Sequence, residues 1–257
     1  MKTRKKSFSY FLIVCVALIC VSALLTACRK RGEEEAGDSD SAFVTEAPSA
    51  TAQDSSAVSL PDKEYNSLID FESLREENPD IYAWLDIPGT DVSFPVVNRA
   101  GDNSFYLTHG SDGKKAAKGA IFTEDYNSLD FGDPVTVIYG HRMNGGDMFG
   151  SLEKNYSNRE FFYAHRELVI YMPDSEKHYT IFAAVPYGNE HLLYYFNFSK
   201  RLVFEAFFEN ILSIRSLSAV TDRDFAPEVG QRVVVLSTCL AGNNQKRYLV
   251  FASENRE

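Results

Sequence analysis

The chain has 257 residues and a formal net charge of −10 at pH 7, from 36 acidic and 26 basic side chains. No basic stripe is visible in the part of the sequence that can fold, which argues against a nucleic acid as a partner. A negative charge of this kind is explained by solubility alone. Residues 62–257 are enough for one domain with a full hydrophobic core.

The first 31 residues differ from the rest of the chain. Residues 1–6 contain four basic side chains, and residues 8–27 are almost wholly apolar, about the length of one membrane-spanning helix. We therefore interpret residues 1–31 as a membrane anchor or signal segment, and we favour an uncleaved signal-anchor with the domain on the extracellular face of the cell membrane. Alternatively, residues 25–28, Leu-Thr-Ala-Cys, resemble a lipobox that would make Cys28 a lipidated N-terminus. A cleaved secretory peptide is the third interpretation, although its apolar core is usually shorter.

Residues 32–61 are rich in Glu, Asp, Ser, Ala and Thr and poor in large apolar side chains. Such a segment cannot bury enough apolar surface to fold, and we interpret it as a disordered linker. Residues 62–257 then form the folded domain. It begins with one or two amphipathic helices over residues 62–78, where apolar residues recur at helical spacing until Asn78-Pro79 ends the pattern.

Short runs of β-branched and aromatic residues follow, separated by Gly, Asn, Asp and Pro, as is typical of strands joined by turns. The eight predicted strands are residues 83–87, 92–97, 119–123, 134–139, 168–172, 178–187, 232–238 and 247–252. A helix over residues 200–215 lies between the sixth and seventh strands, with a wide apolar face and Ser199 at the N-cap position. This pattern predicts a mainly β fold, either a closed barrel or a sandwich.

Cys239 is the only cysteine beyond residue 28. An exported domain with one cysteine has no internal disulfide, so this thiol is a candidate nucleophile; a buried, inert thiol is the alternative. Cys239 follows the seventh strand and Arg247 opens the eighth, each four positions from Asn243, so a symmetric hairpin would place them opposite each other. A guanidinium there stabilises a thiolate and the oxyanion formed when the thiol attacks an amide. The alternative for Arg247 is an ordinary surface ion pair.

A thiol nucleophile also needs a group that protonates the leaving amine, and histidine is the usual one near neutral pH. His141 is the best-placed histidine, because it follows a buried strand at the point where that strand gives way to a loop. His109, in a loop before Gly110, is the best substitute. His165 and His178 are interpreted as surface residues.

Three segments together resemble the sortase family. Leu-Ser-Thr-Cys at residues 236–239 is similar to the signature that closes the seventh strand in sortases, and an Arg that opens the eighth strand, here Arg247, is also characteristic of them. Tyr-Gly-His at residues 139–141, followed by an Asn-Gly and a Met-Phe pair, resembles the histidine segment of class B members. The order His, Cys, Arg agrees, and the resemblance spans roughly residues 65–252.

The resemblance implies an eight-stranded sortase-type β-barrel with N-terminal helices and a helix between strands six and seven. It also implies a cysteine transpeptidase that cleaves the C-terminal sorting signal of a secreted protein after Thr and transfers the acyl group to an amine of a peptidoglycan precursor or a pilin. Cys239 would be the nucleophile, His141 the general acid and base, and Arg247 the cation that holds the oxyanion and the substrate backbone, helped by the backbone N–H that follows the nucleophile. The same resemblance gives the candidate substrate-binding residues Asn103, Leu107, Ser237 and Thr238.

Two other functions fit parts of the same sequence. An exported peptidoglycan L,D-transpeptidase also uses Cys and His on a β-rich fold, but Ser-Thr-Cys lacks the His-Gly that precedes the nucleophile in that family. A non-catalytic surface binding module is the other alternative. No cofactor and no metal site are expected, because the histidines lack paired ligand spacing and the sequence contains no acidic calcium loop. Leu240 follows the nucleophile where some class B members carry Glu, so no signal specificity is carried over.

Overall fold

The computed structural model describes residues 65–256. The predicted anchor or signal segment, residues 1–31, and the predicted linker, residues 32–61, lie outside the described residues. Of the helices found between residues 65 and 256, none combines the length and the apolar character needed to cross a membrane.

Strands dominate the regular structure between residues 65 and 256. They are β1 (Ile81–Asp86), β2 (Ser93–Val97), β3 (Ile121–Thr123), β4 (Val135–Tyr139), β5 (Glu167–Met172), β6 (Ser175–Tyr187), β7 (Val220–Thr221), β8 (Val233–Leu240) and β9 (Asn243–Glu254). Helices connect or cover them. They are α1 (Phe71–Glu77), a 3₁₀ helix (Phe105–Leu107), α2 (Leu152–Tyr156), α3 (Arg159–Ala164), α4 (Leu192–Tyr195) and α5 (Arg201–Ser213).

Eight of the strands close into a barrel. The order around the barrel is β5-β1-β2-β3-β4-β8-β9-β6, and β5 also pairs with β6, which closes the sheet. Closure satisfies the backbone groups that an open sheet would leave at its edges. The pairs β2–β3 and β4–β8 are parallel, whereas the other neighbours are antiparallel. The predicted mainly β barrel of eight strands is therefore confirmed; the two-residue β7, which pairs with β6, was not predicted.

Side chains alternate between the two faces of each strand, which separates the apolar residues into two clusters. The interior cluster fills the barrel and includes Leu236 and Tyr248. The outer cluster includes Val235 and Leu249 of the same strands, and the apolar face of α5 packs against it. The buried residues of that helix are Phe204, Phe207, Phe208 and Ile211. One outer face of the barrel is thus covered by α5, and the strand ends beyond the helix are left to line a site.

The helix at the start of the domain is shorter than predicted. Residues 65–70 have no helical structure, so a single helix, Phe71–Glu77, occupies the described part of the predicted range. Asp70 explains where it begins, because its side chain accepts a hydrogen bond from the Ser73 N–H at 3.0 Å and so caps the first turn.

The helix predicted over residues 200–215 is α5, but its N-cap is Lys200 and not Ser199. The Lys200 side chain makes no capping hydrogen bond. The physical reason is a competing turn: the Asn197 side chain accepts a hydrogen bond from the Ser199 N–H at 3.2 Å. Ser199 therefore belongs to the turn before the helix.

Candidate active site

The ends of two parallel strands bring a histidine and a cysteine to the same edge of the barrel. β4 and β8 run parallel, with Tyr139 opposite Ser237. The pairing continues for one residue, because the Gly140 N–H donates to the Ser237 carbonyl oxygen at 3.1 Å. Two residues beyond this matched pair are His141 on one strand and Cys239 on the other. Neighbouring strands lie about 4.8 Å apart, so the register alone makes the imidazole and the thiol neighbours.

Arg247 reaches the same edge from the next strand. β9 runs antiparallel to β8, and Cys239 pairs with Arg247. The sequence suggested a hairpin symmetric about Asn243, but the observed hairpin is not symmetric. Leu240 continues β8 and pairs with Asn243, so residues 244–246 bulge out of β9. Cys239 and Arg247 are therefore paired as predicted, but the bulge in β9 brings them opposite each other, and not a symmetric hairpin.

The Arg247 guanidinium is held by the bulge. Its Nη1 donates to the carbonyl oxygens of Asn244 at 3.1 Å and Lys246 at 3.4 Å, and it lies 3.6 Å from Cys239 Sγ. Within residues 65–256, no carboxylate forms an ion pair with Arg247. The described structure thus gives no support to a surface ion pair. A guanidinium in this position favours the thiolate and can accept an oxyanion.

His141 is oriented by the 3₁₀ helix beside it. Its Nε2 lies 2.8 Å from the Leu107 carbonyl oxygen, so Nε2 carries the proton of the neutral ring and Nδ1 is left for proton exchange. Two glycines make room for this arrangement. A Cβ on Gly119, where φ is +61°, would lie 2.9 Å from His141 Cδ2 and 2.5 Å from the Tyr106 carbonyl oxygen. A Cβ on Gly140 would lie 2.5 Å from each of two apolar side chains.

The three side chains line one groove of about 290 Å³. Every site residue that the sequence predicted contributes to its walls. They are Asn103, Leu107, His141, Ser237, Thr238, Cys239 and Arg247. Cys239 is half-buried, so its sulfur is reachable from the groove. The structure therefore brings together residues that are up to 144 positions apart in the sequence, from Asn103 to Arg247.

The histidines that were given a lower rank lie away from this groove. His109 stacks on Phe105 with ring centroids 3.9 Å apart, and its Nδ1 lies 2.9 Å from the Phe105 carbonyl oxygen. His165 is the C-cap residue of α3. His178 lies between two carboxylates on the surface, and their hydrogen bonds raise its pKa. These three histidines therefore contact other parts of the protein and do not line the groove.

The candidate substrate-binding residues differ in what they can offer. Asn103 is held by Asp125 at both ends of its amide: Nδ2 donates to Oδ1 at 2.6 Å, and Oδ1 accepts from the Asp125 N–H at 2.9 Å. Ser237 shares the outer face with Cys239, since the two are two positions apart on one strand. Thr238 pairs with Tyr248 of the interior cluster and is 2% exposed, so it can present only its backbone to the groove.

Comparison with known proteins decides the family. A sequence model of the Sortase domain matches residues 85–255, which is more than half of the chain. The chain belongs to the sortase family. It is 38% identical over 96 residues to sortase B of Listeria monocytogenes, an alignment that spans 37% of this chain and only 38% of that protein. Sortases are cysteine transpeptidases, so the predicted enzyme class agrees with the family of this chain.

Solved structures extend the similarity to the whole barrel and to class B. The sortase is similar to sortase B of Bacillus anthracis, with a TM-score of 0.63 and 28% identity over 73% of this chain and 84% of that one. It is also similar to a class B sortase of Streptococcus pyogenes involved in pilus biogenesis, with a TM-score of 0.61 and 26% identity over 73% and 98% of the two chains. The predicted resemblance to class B sortases is confirmed.

The groove of this sortase also contains a pair of residues that the sequence analysis missed. His191 Nε2 lies 2.5 Å from Glu124 Oε2, and both residues line the groove with Tyr139. Burial raises the pKa of the Tyr139 hydroxyl first, the Glu124 carboxylate raises it further, and Arg247 acts in the opposite direction. No local pattern joins Glu124 to His191, because they are 67 positions apart and belong to separate loops.

Metal ligation has no support in the described part of the sortase. Within residues 65–256, no group of three or more His, Cys, Asp or Glu side chains could hold a metal ion. The imidazoles of His141 and His191 are each engaged by a protein oxygen, the Leu107 carbonyl and the Glu124 carboxylate. The chemistry that the groove offers is that of a thiol, an imidazole and a guanidinium.

Proposed function

We propose that this chain is a transpeptidase that cleaves the C-terminal sorting signal of secreted proteins after Thr and joins the Thr acyl group to an amine. In the first half of the reaction, the Cys239 thiol gives its proton to His141, and Sγ attacks the carbonyl carbon of the Thr residue. The C–N bond breaks, and the leaving amine takes a proton from His141. In the second half, an incoming amine attacks the thioester, His141 accepts its proton and passes it to the departing sulfur, and the C–S bond breaks to restore the thiol.

Arg247 acts in both halves. Each attack pushes negative charge onto the carbonyl oxygen, and a fixed guanidinium beside the sulfur stabilises that charge. The resemblance to sortases implies that the backbone N–H of Leu240, which follows the nucleophile, helps. His141 exchanges protons through Nδ1, because Nε2 is held by its hydrogen bond to the Leu107 carbonyl oxygen.

One observation carries this proposal: β4, β8 and β9 are consecutive neighbours in the barrel and present His141, Cys239 and Arg247 in that order at one edge. A binding module has no need to align these three groups. The match to the Sortase domain also argues against the L,D-transpeptidase alternative.

The thiol provides the direct test. Full-length protein in detergent is assayed, with and without added amines, against fluorogenic peptides of two types that the class B resemblance suggests. These are Asn-Pro-x-Thr and x-Pro-x-Thr-Gly with Leu, Ser or Pro at the first position. The wild type should cleave at least one peptide after Thr, and Cys239→Ala should lower the rate by about 10⁴-fold or more, because it removes the nucleophile. Undiminished cleavage by Cys239→Ala would falsify the catalytic assignment. A wild type inert towards every peptide would favour the binding module.

We also propose that residues 1–31 anchor the enzyme in the cell membrane with the folded domain on the extracellular face. The support is the apolar run over residues 8–27 behind four basic side chains. Full-length protein should partition into the detergent phase of a two-phase separation. Recovery in the aqueous phase would exclude both the signal-anchor and the lipid-modified Cys28.

The acceptor amine belongs either to a peptidoglycan precursor or to a pilin. The similarity to a sortase involved in pilus biogenesis supports the pilin, and the similarity to other class B sortases leaves the peptidoglycan precursor equally open. The amine that raises the rate of acyl transfer in the peptide assay distinguishes the two. A stem-peptide amine would indicate cell-wall anchoring, and a lysine side chain in a pilin-like peptide would indicate pilus assembly.

A further inference from the structure

One wall of the groove comes from residues 188–200, the segment between β6 and α5. Its first residues, Gly188 to His191, line the groove together with Leu192. The short helix α4 (Leu192–Tyr195) lies within it. Tyr194 and Tyr195 are 72% and 66% exposed, so much of the outer side of the segment has no packing partner in the described structure.

A single hydrogen bond joins this segment to the rest of the described structure. Leu192 and Phe198 pack into the outer cluster, and the backbone hydrogen bonds of residues 188–200 stay within the segment or its junction with α5. The exception between residues 65 and 256 is the contact of His191 Nε2 with Glu124 Oε2 at 2.5 Å. The Glu124 side chain is 15% exposed and the His191 side chain 32%, so the contact is partly shielded from water.

His191 connects this contact to the local fold of the segment. It is the N-cap residue of α4, and its Nδ1 accepts a hydrogen bond from the Tyr194 N–H at 3.1 Å. An Nδ1 that accepts carries no proton, so Nε2–H is the donor to Glu124. The same ring thus caps the helix on one side and binds the barrel on the other.

Glu124 and its neighbour Asp125 hold both long walls of the groove. They follow β3 directly, and Asp125 binds the amide of Asn103 on the side where the 3₁₀ helix orients His141. Glu124 binds His191 on the opposite side. Two consecutive carboxylates therefore bind one residue on each side of the groove.

We propose that Glu124 and His191 are positioning residues that hold residues 188–192 as a wall for the sorting peptide and so set its affinity, without taking part in the chemistry. This inference rests on the proposed function. The pair is separate from the reacting groups, since the nucleophile and the oxyanion cation belong to β8 and β9 and the general acid follows β4. Loss of the contact leaves those groups in place and frees the wall.

Four variants separate the possible roles. Glu124→Ala removes the acceptor, whereas Glu124→Gln keeps an acceptor oxygen on a side chain of the same length. His191→Asn gives up the reach to Glu124 but retains a good N-cap for α4. Glu176→Ala is the matched control, because it removes a carboxylate that contacts an exposed histidine, His178, at 3.1 Å, outside the groove.

The first readout is the steady-state cleavage of the fluorogenic peptide that the wild type cleaves fastest. Glu124→Ala and His191→Asn should each raise KM about tenfold with kcat within about twofold of the wild type, the size expected for one charge-assisted hydrogen bond. Glu124→Gln should recover most of the affinity, and Glu176→Ala should behave like the wild type. An unchanged KM in both Glu124→Ala and His191→Asn, or a fall in kcat at constant KM, would overturn the proposal.

The second readout does not depend on turnover. In amide hydrogen exchange, the N–H groups of Tyr194, Tyr195 and Phe196, which donate to His191 and Leu192, should exchange faster in Glu124→Ala than in the wild type. Equal exchange would mean that apolar packing alone holds the wall. If no peptide is cleaved by the wild type, the proposed function fails, and this exchange comparison still decides whether the pair holds the segment.

Discussion

The two sides of the groove are held by different kinds of contact. On one side, β4, β8 and β9 form a continuous backbone ladder, with five matched pairs between β4 and β8 and eight between β8 and β9. A side chain strengthens the hairpin tip, where Glu153 accepts a hydrogen bond from the Ala241 N–H at 2.6 Å. On the other side, residues 188–200 depend on apolar packing and on the Glu124–His191 pair.

This difference separates catalysis from recognition. The backbone ladder fixes the thiol, the imidazole and the guanidinium relative to one another, and cooperative strand pairing makes that arrangement resistant to single substitutions elsewhere. The opposite wall can change its position or sequence at a small cost, because few bonds depend on it. Substitutions at the ladder edge should therefore lower kcat, whereas substitutions at the wall should raise KM.

The largest effect after loss of the thiol is expected at Arg247. Arg247→Lys keeps the charge but loses the rigid, planar guanidinium, whose Nη1 contacts the sulfur and two bulge carbonyl oxygens. We expect kcat to fall by about 10²–10³-fold, as for the removal of one oxyanion donor. Because Arg247 forms no ion pair within residues 65–256, the thermal unfolding midpoint should change little.

Lys246→Ala is the matched control for Arg247→Lys. It removes the neighbouring, exposed cation and leaves the guanidinium and its backbone contacts in place. Near-wild-type kcat is expected for this variant, since the backbone carbonyl that Arg247 contacts is unchanged. Normal turnover in Arg247→Lys, or an equal loss in both variants, would show that Arg247 serves only to pack the hairpin.

The ladder side of the groove is also the part that the sequence predicts well. Apolar runs at residues 233–236 and within Val135–Tyr139 indicate buried strands, and Cys239 and His141, a few residues further along the chain, carry the chemistry. The pairing of Cys239 with Arg247 was predicted correctly from an incorrect hairpin. The bulge at residues 244–246 leaves no signal in a run of Asn, Gln and Lys, because many turns accept these residues.

The wall side could not be predicted for a physical reason. Beyond apolar packing, its position depends on one hydrogen bond between side chains from loops 67 residues apart, and no hydrophobic period records such a contact. The N-cap role of His191 is equally hidden, since His is not among the residues preferred at N-caps. The same holds for Ser199, where a good N-cap residue was outcompeted by a turn that Asn197 forms.

A smaller effect is expected at Gly119, which lies outside β4, β8 and β9 but leaves space for the His141 ring. Gly119→Ala would place a Cβ 2.9 Å from His141 Cδ2 and 2.5 Å from the Tyr106 carbonyl oxygen, at a φ of +61°. The backbone strain costs about 1–2 kcal/mol, and the collision adds about 1–3 kcal/mol. Because the collision displaces the imidazole, we expect kcat to fall about 10–100-fold and the unfolding free energy to fall as well.

Gly113→Ala distinguishes displacement of the imidazole from simple strain. Gly113 also has a positive φ, +72°, but nothing lies within 4 Å of the Cβ that it would gain. It should therefore lose about 1–2 kcal/mol of stability with an unchanged kcat. If Gly119→Ala lowers stability by no more than Gly113→Ala and retains full kcat, then the space that Gly119 leaves is not what orients His141. The Leu107 carbonyl oxygen alone would then hold the ring.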